Sequence, residues 1–73
     1  MNWTMNIPAM PGFYLVWGMG TGGVKAVDID FSGQVIYHRY PNPGVYSNSI
    51  EFASAERILY WMGPILNPSG GST

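Results

Sequence analysis

The run Gly12-Phe13-Tyr14-Leu15-Val16-Trp17 constrains the fold more than any other stretch of the chain. It is dense in β-formers and apolar on both faces of the strand it would make. A strand with one wet face alternates apolar and polar residues, and this run does not alternate. It is therefore expected at the centre of a sheet or against a partner. The same imbalance runs through the chain. Eleven of the 73 residues are aromatic, and only seven carry a formal charge. A domain this small has little interior, so some rings must lie at its surface. Grouped surface rings mark a partner: another copy, another protein or a stacked ligand.

The length allows one domain. Domains this small usually lean on disulfides, a metal or oligomerisation. Cysteine is absent and His38 is the single histidine, which removes disulfides and the commonest zinc sites. Self-association remains, so a homodimer or higher assembly is expected, with no cofactor. Lys25, Arg39 and Arg57 stand against Asp28, Asp30, Glu51 and Glu56, for a net charge of −1. Three cations neutralise too little phosphate for non-specific nucleic-acid binding. Four acids are too few to imitate DNA by charge. No stretch reaches the roughly 18 apolar residues of a membrane span. Met1 to Met10 carries no basic residue and no signal-peptide pattern, so a cytoplasmic protein is expected.

Pro8 and Pro11 make residues 1–11 an extended arm. Gly18 to Gly23 reads as a flexible connection. Val24 to Phe31 alternates, with Lys25, Val27, Ile29 and Phe31 on one face and Val24, Ala26, Asp28 and Asp30 on the other. Ser32-Gly33 reads as a two-residue hairpin turn, and Gln34 to Tyr40 as the third strand. That turn would set Ile29 opposite Ile36, Val27 opposite His38, Lys25 opposite Tyr40 and Asp28 opposite Tyr37. Arg39 would then lie diagonal to Asp28 for an ion pair. Pro41-Asn42-Pro43-Gly44 stops the sheet. A helix is predicted from Asn48 or Ser49 to Met62, with Asn48 and Glu51 as a capping box and Gly63-Pro64 as its end. Asn67 to Thr73, polar and rich in Gly and Ser, is expected to be disordered. The predicted fold is α+β: a three-stranded antiparallel meander with one C-terminal helix packed on it, in the order βββα.

On a helix over 49–62, Phe52, Ala55, Ile58, Leu59 and Met62 form the inward stripe. Ile50, Arg57 and Trp61 fall on the opposite side, flanked by Tyr60 and Ala53. Those residue types are enriched in interface hot spots, so Ile50, Arg57, Tyr60 and Trp61 are the candidate interface. The alternative is that the arm or the Pro-rich loop folds over Trp61.

Nothing in the chain spells a reaction. Gly18-Met-Gly-Thr-Gly-Gly23 looks like a phosphate-binding loop, but a strand follows it where a helix N-terminus is needed. Asp28 and Asp30 share a strand face, yet two acids beside Arg39 suit an ion pair better than a metal. His38 has no nucleophile to activate. A non-enzymatic protein is expected. The rival reading is a ligand site between subunits, in which Tyr14, Trp17, Tyr37, Tyr40 and Tyr46 stack a nucleobase and Arg39 or Arg57 meets a phosphate.

Pro11 to Trp17, and Trp61-Met62-Gly63-Pro64-Ile65 with Pro68, resemble small phage and prophage open reading frames of unassigned function. Those frames often begin on a Pro-Gly-aromatic strand and close on a Gly-Pro-Ile type segment. The resemblance implies an oligomeric accessory protein that binds and inhibits a host protein, including one of anti-phage defence. A sponge for a nucleotide signal and a minor virion structural protein are the alternatives it leaves open.

Overall fold

The computed structural model describes residues 2–65, so the tail expectation over 67–73 lies outside the described residues. The elements are β1 (Gly12–Gly18), β2 (Gly23–Ile29), β3 (Val35–Tyr37), β4 (Gly44–Tyr46), α1 (Ser49–Glu56) and β5 (Ile58–Ile65). All neighbouring strands are antiparallel, in the order β4-β3-β2-β1-β5. The α+β class with an antiparallel sheet and one helix is as predicted. The strand count is not: the sheet has five strands rather than three.

Both extra strands have a physical cause. The turn at Pro41 to Pro43 interrupts the sheet but brings the chain back as β4, whose Val45 stands opposite Ile36. The helix stops at Glu56 instead of running to Met62, because Arg57 takes a left-handed conformation with φ 52°. After it comes Ile58-Leu59-Tyr60-Trp61, with one β-branched and two aromatic residues, which extends as readily as it coils. β1 offers that segment a second strand edge, and burial of Trp61 against it decides the outcome.

The helix starts at Asn48 as expected, with the return bond of the capping box made to Ser47 rather than to Asn48. Asn48 Oδ1 accepts from Glu51 N at 2.8 Å, and Glu51 Oε1 accepts from Ser47 N at 2.8 Å. The β2–β3 turn differs by one residue. Asp30 N donates to Gln34 O, and Gly33 takes φ 91°, so the loop has three residues rather than two. Val27 therefore faces Tyr37, Asp28 faces Ile36 and Ile29 faces Val35. A one-residue slip exchanges the faces of the returning strand. It sets Tyr37 in the core and gives Asp28 to His38, at 2.7 Å, in place of Arg39. Arg39 instead donates to Asn42 O and lies 5.9 Å from the Tyr37 ring centre.

The Gly18 to Gly23 segment is tied down rather than loose. Met19 N and Gly20 N donate to the carbonyls of Arg57 and Glu56, which the helix end leaves without intrahelical partners. A side chain at Gly18 would run into the backbone of Arg57 and Ile58, so the close approach requires glycine.

One face of the sheet builds the core. Tyr14, Val16, Val27, Ile29, Val35, Tyr37, Phe52 and Trp61 are all buried there. The helix packs on β4 and β5, the two edges, so the sheet curls until both edges meet it. Phe52 sits at that closure, with its ring centre 5.4 Å from Tyr37, 5.2 Å from Tyr46 and 5.7 Å from Trp61.

Candidate interaction surface

The other face of the sheet points away from this core, and it is also apolar. Strand alternation opposite the buried Tyr14 and Val16 places Phe13, Leu15 and Trp17 of β1 on it. Their direct partners share the face. Trp17 stands between Val24 and Tyr60, and Leu15 between Ala26 and Met62. Further across the sheet, Asp28 stands opposite Ile36, and Ile36 opposite Val45. The run that opened the sequence thus explains itself twice. β1 is a central strand, and its second face is exposed.

At one end of this face the rings gather. Trp17 and Tyr60 lie with centres 5.8 Å apart and planes tilted by 45°. Thr4 of the arm forms a two-way bridge to Trp61, each N–H donating to the other's carbonyl at 2.8 Å. That bridge brings the neighbouring Trp3 to the same place. Trp3, Trp17, Val24 and Tyr60 line one cleft of about 360 Å³. Each ring keeps about two-fifths of its surface in water, and Val24 about half. No charged side chain lines the cleft. Such a surface can bury apolar area against a partner.

The predicted interface on the helix does not exist as drawn. Ile50 is exposed on α1, and Arg57 caps it, but Tyr60 and Trp61 belong to β5. Successive strand residues point to opposite faces, so the two rings part. Trp61 is only 1% exposed, set edge-on to Tyr14 and Phe52. Tyr60 reaches the outer face. Of the inward stripe, Phe52 is core as predicted, Ala55 is exposed, and Ile58, Leu59 and Met62 lie on β5. The arm does meet Trp61, through its backbone rather than its ring.

The stacking set does not converge either. Tyr14 and Tyr37 are buried in the core, and burial pushes both phenols above the ordinary tyrosine range. Tyr46 packs on Phe52 and donates to Glu56 Oε2, a bond that raises its pKa before burial adds to the effect. Tyr40 is 98% exposed in the β3–β4 loop, and Arg39 stays beside Tyr37. Only Trp17 of that set lines the cleft. Asp28 and Asp30 part as well: Asp28 holds His38, while Asp30 accepts from Ser32 N, Ser32 Oγ and Gln34 N. Among the described residues, no three His, Cys, Asp or Glu cluster as metal ligands would, and no helix is long and apolar enough to cross a membrane.

Sequence reading missed Trp3 and Val24 as members of the site. Val24 was legible, since it alternates out of phase with Val27 and Ile29. Trp3 was not, because its position depends on the Thr4 bridge to a strand read as helix. Compared with protein-family models, with curated proteins and with solved structures, the chain matches none.

Proposed function

We propose that the protein is a non-catalytic binding module that docks on a protein partner through the outer face of its sheet. The cleft of Trp3, Trp17, Val24 and Tyr60 is the observation that carries this reading. Trp17 and Tyr60 are exposed, grouped and mounted on strands, with Trp3 beside them on the bridged arm, and such rings supply contact area at low ordering cost. The resemblance to small phage frames supports a host protein as the partner and inhibition as the outcome of docking. The supply of reactive groups supports binding over catalysis: one histidine, held by Asp28, and no cysteine.

Affinity capture from host lysate with three immobilised chains tests the reading. These are the natural sequence, a Trp17→Ser/Tyr60→Ser double variant and an Ile50→Ser helix control. A partner held by the natural chain and the control, and lost from the folded double variant, is the expected result. Equal capture by all three, or loss from the helix variant alone, contradicts it.

A further inference from the structure

We infer that a second copy of this chain covers the outer face, in a two-fold dimer packed sheet against sheet around Trp17 and Tyr60. The inference rests on the outer face being an interaction surface, and it names the occupant.

Charge is the first reason. In a two-fold contact each group near the axis meets its own copy, so unbalanced charge on the face repels itself. Lys25 and Asp28 are the only charged residues within the described strands. Lys25 pairs with Val16, on the core side. Asp28 is on the outer face, where it is hydrogen-bonded to His38 at 2.7 Å. Glu51 and Glu56 are on the helix, and Asp30, Arg39 and Arg57 lie between elements. Asp28 stands opposite Phe13, four residues along β2 from Val24, so the Trp17–Tyr60 end of the face carries no charge and can meet its own copy.

Area is the second. A standard interface takes about 800 Å² from each partner. That is about a sixth of this chain's 4748 Å² surface (800/4748). Three rings of about 250 Å² each, two-fifths exposed, already offer about 300 Å². Val24 and Val45, both more than half exposed, and the half-buried Leu15 and Met62 extend the same face.

The edges are the third reason. Sheets also dimerise edge to edge, but here that route is blunted. β4 has three residues, and the outward N–H and C=O of Trp61 on β5 are taken by Thr4. Face-to-face packing is the more open route, and it brings the uncharged ends of two apolar sheet faces together as a β-sandwich does. A host partner and the second copy then compete for one surface, so self-association sets how much of the protein is free to bind.

Sedimentation equilibrium and an NMR dilution series on the natural chain test this together. The expected mass is 16.0 kDa, twice the 8.0 kDa chain, falling to 8.0 kDa on dilution. Amide shifts should move with dilution at Val24, Leu15, Trp17 and Tyr60 and stay fixed along α1. Val24→Lys should lower dimer affinity at least about tenfold, since it buries two like charges, with an unchanged amide pattern elsewhere. Ile50→Lys on the helix should leave it unchanged. Because the interface is apolar, about tenfold more salt should alter the dissociation constant little. A mass of 8.0 kDa at millimolar concentration overturns the inference, as do dilution shifts confined to α1. A monomer that still captures a host partner through Trp17 and Tyr60 overturns the dimer and leaves the surface reading standing.

Discussion

Trp61 and Trp17 are the same residue type on paired strands, and they do opposite work. Trp61 fills the core between Tyr14 and Phe52; Trp17 lies across Tyr60 in water. Trp61→Ala should cost about 3–5 kcal/mol in a urea titration, enough to unfold a domain of this size. Trp61→Phe should cost much less, since the buried indole N–H has no acceptor among the described residues and loses no hydrogen bond on replacement. Trp17→Ala, measured on dilute protein, should stay within about 1 kcal/mol. Similar losses for Trp61→Ala and Trp17→Ala would contradict this division. The buried tyrosines set the alkaline limit. Tyr14, Tyr37 and Tyr46 all hold their protons more tightly folded than unfolded. The unfolded chain ionises first as pH rises, so stability is full below about pH 10 and is lost above it. Melting temperature followed from about pH 7 to 12, with tyrosinate absorbance, checks this; a flat profile would contradict it.

Elements were legible in the sequence wherever local chemistry decides them, and illegible where a distant strand does. The Asn48–Glu51 cap, the β2 alternation and the central place of β1 follow from neighbouring residues. Ile58 to Ile65 does not. Its spacing fits a helix stripe as well as a strand, and only the open edge of β1 selects the strand. That one choice moved the candidate site from the helix to the sheet. The β2–β3 turn shows the same limit at smaller scale, because Ser32-Gly33 fits a two-residue or a three-residue loop. Asp30 decides between them by accepting from Ser32 and Gln34. The Ser32 hydroxyl is foremost in holding the Asp30 carboxyl below its ordinary range. Its contribution to stability is therefore present above about pH 4 and lost as pH falls through the lower folded value. Asp30→Ala should lower the urea midpoint at neutral pH, and the gap to the natural chain should close in acid. A gap independent of pH would assign the loss to something other than the carboxylate.

For the whole molecule, the organising fact is a sheet that is apolar on both sides with a helix to cover only one. Eleven aromatic residues in a 73-residue chain exceed what one core can hold. Tyr14, Tyr37, Phe52 and Trp61 are buried inside, while Trp3, Trp17 and Tyr60 are gathered outside around a single cleft. These seven rings are divided between a core and an outer surface, while Phe31 and Tyr40 stand exposed in loops. On the proposed function, the outer face is covered in the working protein. Hydroxyl-radical footprinting of the natural chain, read residue by residue by mass spectrometry, tests this most directly. With the protein concentrated, Trp3, Trp17, Tyr60 and Met62 should oxidise slowly, while Met19 and Tyr40, at 69% and 98% exposure, react freely. On dilution the four should become reactive. Trp17 and Tyr60 oxidising at a rate set by their 41% and 39% exposure at every concentration, with no partner able to slow them, would contradict it.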